Sequence, residues 1–307
     1  MAETGGEFGL IEWIRRRVSA HPALDIGIGD DAAVLNWPAE KTLVTVDMLM
    51  EGVDFTFPEA SPEQVGRKAL AVNLSDIAAM GGKPVAAVVS VALPRRHGAE
   101  LAQRLQQGIE QRAREFDVAL AGGDTNSWGG PLVISITVLG EPSARGPVLR
   151  SEARAGDWIL VTGEFGGSIA GHHLEFTPRV REGQLLAENY DVHAMIDVSD
   201  GLAADLHHIL DESRVGATLY ADRIPISAAA LATIDNKTPL EHALSDGEDF
   251  ELIFTVAAET AQGLLATPPF DTPLTHIGFI EADPGCRLQS ADGSQRELPA
   301  LGWRHEL

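Results

Sequence analysis

Cysteine is almost absent. Cys286 is the only one in 307 residues, so no disulfide can form within the chain and no zinc site can be built on cysteine. A reducing cytoplasm is the expected compartment. Basic residues are also few: 23 Lys and Arg stand against 45 Asp and Glu, a formal net charge of −22. Such a surface repels nucleic acid and anionic membrane, which excludes both as main partners. Aromatic residues reach only 6%, too few for a ring-rich binding surface. Long apolar runs are missing as well. The longest, Val85 to Leu93, is broken by Ser90 and bounded by Pro84 and Pro94, far short of a bilayer span. The opening residues, MAETGGEFGL, lack the apolar core of a signal peptide.

What is present suits a globular enzyme: 44% hydrophobic residues and a length for which two domains is the prior. Apolar spacing predicts a helix over Glu7–Val18, and β-rich runs predict strands over Ala32–Leu35 and Thr42–Met48. A helix over Pro62–Met80 is opened by Ser61 and Pro62 and closed by Gly81-Gly82. Further along come a strand (Val85–Leu93), a helix (Ala99–Phe116), a strand over Val118–Ala121 running into Gly122-Gly123-Asp124, and a strand over Leu132–Leu139. A polar, glycine-rich stretch from Pro142 to Gly156 places a boundary between domains 1–145 and 146–307. The second half repeats the alternation: strands over Asp157–Thr162, Met195–Val198 and Phe250–Val256, and a helix over Leu202–Leu210. The class is α/β or α+β.

The aspartates carry the chemistry. Asp30, Asp31, Asp47, Asp76, Asp124, Asp197 and Asp200 mostly lie beside glycine or at the end of an apolar strand. Ligand sites of α/β folds gather at strand ends. Carboxylates converging there raise one another's pKa unless a cation offsets the repulsion, and oxygen-only ligands favour Mg²⁺ or Mn²⁺. Any one of them alone reads first as a turn or cap residue; the set points to metal. Asp76 sits in KALAVNLSDIAAMG, three residues from Asn73 on one face. Arg67, Lys68 or a cation must offset its charge. Gly122-Gly123 and Gly163–Gly167 are candidate phosphate loops through their N–H groups, although neither is a Walker A loop and GIGDD (Gly27–Asp31) is no dinucleotide fingerprint. Arg150 near the boundary is a candidate phosphate contact or a plain surface arginine. His172-His173 and His207-His208 read as surface pairs, and Cys286 is given no role.

GEFGLI, IGDDAAVL, TVDML with EGVDF, KALAVNLSDIAAMGG, LAGGDT, RSEARAGD, TGEFGGSIAG, DVSDGLAADLHHI and SDGEDFEL stand in one order, in a match that runs from about residue 6 to 305. In that order they resemble thiamine-monophosphate kinases, relatives of aminoimidazole ribonucleotide synthetase and selenophosphate synthetase. The resemblance implies two α/β domains, with the N-terminal sheets of two subunits closing into a shared barrel in a homodimer. It implies direct in-line transfer of the γ-phosphoryl of ATP to thiamine monophosphate, with several Mg²⁺ ions and no general base. Metal ligands by this match are Asp30, Asp31, Thr45, Val46 (through its backbone), Asp47, Asp76, Asp124, Asp197 and Asp200. ATP contacts are Gly122, Gly123, Asp124, Arg150 and Ser199; substrate contacts are Asp54, Glu248 and Trp303. The family often has His at the position of Asp54. The alternatives are a sibling synthetase and a non-catalytic nucleotide-binding homologue; the loop before Ile11 lacks the Cys and Lys of selenophosphate synthetase.

Overall fold

The structure, a computed structural model, describes residues 13–18, 20–26, 34–37, 41–96 and 98–303. The expected helix over Glu7–Val18 is seen as helix at residues 13–17, and of the expected strand over Ala32–Leu35 the described part is the two-residue strand Val34–Leu35. GIGDD, with Asp30 and Asp31, lies outside the described residues. Contacts divide the chain into two units, Met1–Ile77 with Lys83–Glu141, and Ala78–Gly82 with Pro142–Leu307.

The first unit holds a short antiparallel pair, β1 (Leu24–Ile26) and β2 (Val34–Leu35). Its main sheet has four strands: β3 (Leu43–Met50), β4 (Lys83–Pro94), β5 (Ala119–Trp128) and β6 (Val133–Glu141), in the order β3-β6-β4-β5. The sheet is open, with β3 and β5 at its edges. Helices α1 (Pro62–Ala79) and α2 (Gly98–Glu115) accompany it. α1 starts where it does because Ser61 and Gln64 cap each other: Gln64 N–H donates to Ser61 Oγ (3.2 Å), and Ser61 N–H to Gln64 Oε1 (2.9 Å). It ends at a left-handed Gly81 (φ 64°). Where the two helices cross, any Cβ at Gly66 would meet the Leu105 carbonyl, and any at Gly108 the Glu63 carbonyl. Glycine at both positions lets the backbones touch.

Along β3 the sides alternate. Leu43 and Leu49 are buried and Thr45 and Asp47 half-buried, while Val44, Val46 and Met48 are 64, 61 and 59% exposed. β5 departs from the expected strand end at Ala121: it runs straight through Gly122, Gly123 and Asp124. The reason is close packing, since a Cβ at Gly123 would strike the Val89 carbonyl of β4.

The second unit is built on a seven-stranded sheet: β7 (Trp158–Thr162), β8 (Val192–Asp197), β9 (Gly216–Tyr220), β10 (Leu252–Val256), β11 (Leu274–Glu281), β12 (Gly285–Gln289) and β13 (Gln295–Glu297). Their order is β13-β12-β9-β11-β7-β10-β8. Its core joins Ile159, Ile196, Leu219 and Ile253 of the sheet to Leu202, Leu206 and Ile209 of a helix running Leu202–Ser213. That helix outlasts the expected end at Leu210. Conversely, β10 begins at Leu252 and not at Phe250, because Phe250 has φ 51°, which no strand accommodates. Among the described residues no helix is long and apolar enough to cross a membrane.

Candidate functional site

In the second unit, β8 delivers the buried Asp197 at its C-terminal end, and the turn Val198–Gly201 leads into helix Leu202–Ser213. Three successive carbonyls of this turn are held by N–H groups from elsewhere. Val198 accepts from Phe250 (2.8 Å), Ser199 from Glu248 (2.7 Å) and Asp200 from Trp303 (2.9 Å). Four residues singled out from sequence, Ser199, Asp200, Glu248 and Trp303, are therefore neighbours by backbone hydrogen bonding. Trp303 is 55% exposed.

Asp205, one turn into the helix, was missed in the sequence. Its Oδ2 accepts the N–H groups of Asp200 and Gly201, each at 3.0 Å. Burial, followed by the charges of Asp197 and Asp200, pushes its carboxyl up to about 8 despite those two hydrogen bonds. Asp200, Asp205 and His208 each offer a ligand atom, all within 4.8 Å of one another. The signal lay in the Asp-x-x-His spacing, which puts residues 205 and 208 on one helical face.

In the first unit, Thr45 of β3 donates its hydroxyl to the Asp76 carboxylate of α1. Asp47 lies on the same side of β3, half-buried. Asn73, one turn before Asp76, is fully buried, and its Oδ1 has no hydrogen-bond partner among the described residues. Lys68 donates to the Asp54 carbonyl (2.9 Å) and Arg67 to Glu115 (2.9 Å). Asp124 is placed differently. It aligns with Ser90, which aligns with Ser135, which aligns with Met48. It therefore shares the exposed face of Met48, opposite to that of Thr45 and Asp47. Val46 lies on that face too, one row away through Thr137, Val88 and Gly122.

The readings of Gly122-Gly123, Gly163–Gly167 and His173 need correction; Asp54, Arg150 and Cys286 each take a defined place. Gly122-Gly123 is not a loop after a strand but part of β5. Four of the five N–H groups of Gly163–Gly167 are taken within the protein: Gly166 donates to both oxygens of Asp249 (3.0 and 3.1 Å), and Gly167 to Asp246 (2.9 Å). The N–H groups of Gly163 and Phe165 go to the carbonyls of Pro273 and Pro225. The protein supplies its own anions there. Asp54 folds back on its turn, Oδ2 accepting the Met50 N–H at 2.6 Å. Arg150 is an exposed side chain whose carbonyl accepts Ser213 Oγ (2.7 Å). His173 is no surface residue; it is buried, Nδ1 against the Ser168 carbonyl (2.9 Å). Burial pushes the Cys286 thiol up to about 12, which leaves it inert.

Both clusters suit a hard divalent cation. Repulsion among Asp197, Asp200 and Asp205 is what a bound cation would relieve, and Asn73 Oδ1 and Asp76 are further oxygen donors.

The description "AIR synthase related protein, N-terminal domain" matches residues 29–141, and its C-terminal counterpart residues 160–290. A thiamine-monophosphate kinase of Rhodopirellula baltica is 44% identical over 309 residues, covering 97% of each chain. The chain belongs to the thiamine-monophosphate kinase family. The crystal structure of the family member from Stenotrophomonas maltophilia superimposes with a TM-score of 0.81 at 36% identity, covering 94% of this chain and 97% of that one. AaThiL complexed with AMPPCP and TMP gives 0.77 at 30% identity, covering 98% and 97%. The mixed α/β architecture in two units is thus the family's.

Proposed function

We propose that this protein transfers the γ-phosphoryl group of ATP to thiamine monophosphate, giving thiamine diphosphate and ADP. The observation that carries the reading is near-full-length identity to this family, including a relative solved with an ATP analogue and TMP. One phosphorus–oxygen bond breaks at the β,γ-bridge and one forms to the substrate phosphate. That acceptor oxygen is already anionic, so no general base is needed, and transfer is direct and in line.

Asp47, Asp76, Asp124, Asp197 and Asp200 hold Mg²⁺, with Thr45, the Val46 carbonyl, Asp30 and Asp31. When bound, the cations neutralise phosphate charge. Gly122, Gly123, Arg150 and Ser199 contact ATP. Asp54, Glu248 and Trp303 contact the substrate, the Trp303 ring giving the cationic thiazolium an aromatic face. Residues 1–145 form the ATP- and Mg²⁺-binding, dimer-forming domain and residues 146–307 the C-terminal α/β domain. The single buried thiol suits a cytoplasmic location.

The working form is a homodimer. What supports it is the exposed face of β3, where Val44, Val46 and Met48 stand in one apolar row on an edge strand. A second copy covering that row would extend the open sheet toward a shared barrel.

The test is incubation with ATP, Mg²⁺ and thiamine monophosphate, with chromatographic detection of thiamine diphosphate. Asp47→Asn and Asp76→Asn should each cut turnover by about 100-fold or more while shifting the melting temperature by only a few degrees, since each removes one cation ligand. Normal turnover of both variants at limiting Mg²⁺ would show the metal assignment to be wrong.

A further inference from the structure

The segment Asp246–Glu251 holds three residues of positive φ close together. Gly247, Glu248 and Phe250 have φ of 74, 58 and 51°. For residues with a side chain this left-handed region is strained. Such conformations persist only where the surroundings over-determine them. Two sets of hydrogen bonds do so. On one side, the N–H groups of Glu248 and Phe250 hold the carbonyls of Ser199 and Val198. On the other stands Asp249, between the two strained residues and only 2% exposed. Its oxygens take the Gly166 N–H and the Ser168 hydroxyl.

Space enforces the arrangement. A Cβ on Gly166 would meet the backbone of His242 and Ala243, and one on Gly247 the Ser199 carbonyl. Neither loop can slide to compensate for a lost anchor.

We propose that Asp249 is a positioning residue for the Val198–Gly201 turn, acting by locking the left-handed backbone at Glu248 and Phe250 that carries two of the turn's carbonyls. Asp249 is buried and acts through the backbone it holds. It fixes the crossover, the crossover fixes the turn, and the turn presents Ser199 and Asp200. The inference rests on the kinase reading only for what the turn is used for.

The test is amide hydrogen exchange on Asp249→Asn and Ser168→Ala, metal-free. The second variant removes one donor to Asp249 and leaves the carboxylate in place. Exchange should quicken together in peptides covering 163–168, 245–252 and 197–202, with peptides over β9 and β12 unchanged. Mn²⁺ affinity, read by calorimetry, should fall about tenfold in Asp249→Asn, the size of effect expected when a support behind metal ligands is lost. Quickening confined to 163–168 in both variants, with Mn²⁺ affinity at the wild-type value, would overturn the proposal. A wild-type protein that makes no thiamine diphosphate, yet shows the linked exchange in its variants, would refute the kinase reading and leave this one standing.

Discussion

Replacing Asp249 with Asn should remove a pH dependence of stability that the wild-type fold carries. Burial, opposed by the Ser168 hydroxyl and the Gly166 N–H and reinforced by Glu251 and Asp246, raises this carboxyl from an ordinary 3.8 to about 7. The folded state therefore binds the proton more tightly than the unfolded chain. The stability this brings is complete below pH ~4 and is lost as pH rises through about 7. At about 1.4 kcal/mol per tenfold change in proton affinity, the ionised group costs the fold on the order of 4 kcal/mol, of which roughly 3 falls between pH 5 and 8. Asparagine keeps the shape and one acceptor but loses about 1 kcal/mol of hydrogen bonding. The variant should be about as stable as wild type at pH 5 and more stable at pH 8, by about 3 kcal/mol. Urea unfolding in the presence of chelator, followed by tryptophan fluorescence at both pH values, measures this. Parallel pH profiles for the two proteins would refute the reasoning. A variant that gains stability while losing Mn²⁺ affinity could not owe that loss to unfolding.

Other perturbations give separate readings. Gly123→Ala forces a Cβ into the Val89 carbonyl and should destabilise the first unit by about 1–3 kcal/mol, seen as a lower melting temperature. Val46→Asp, on the exposed face of β3, should convert a dimer to monomers at micromolar concentration by light scattering, with the melting temperature of the monomer little changed. Thr162→Val removes the hydroxyl that donates to the buried Glu251 carboxylate at 2.6 Å and should cost about 1–3 kcal/mol in urea unfolding.

Local signals were legible in the sequence and long-range ones were not. The start of α1 could be read from Ser61 and Pro62 because a cap is built within a few residues. The aspartate at the end of β8 could be read from an apolar run meeting Asp-Val-Ser-Asp-Gly. The fate of the Gly163–Gly167 N–H groups could not. Their partners, Asp246 and Asp249, lie about 80 positions away, and a glycine-rich run looks the same whether a phosphate or the protein's own carboxylate fills it. The side taken by Asp124 depends on an irregularity between Ala87 and Val88 in the β4–β5 register, which shifts parity and leaves no local trace. The left-handed Phe250 escaped for a similar reason: FELIFTV reads as continuous strand, and only the pull of Val198 and Asp249 bends its first residue out.

The apolar row on β3 carries a chemical liability. Met48 and Met50 are 59 and 38% exposed in the single chain, open to peroxide. A sulfoxide there would place a polar, chiral group in the surface proposed to meet a second copy. Oxidative damage would then act first on assembly, before it reached the aspartates. Protection of these two methionines would rise with protein concentration, so their oxidation rate would record how much of the protein is paired.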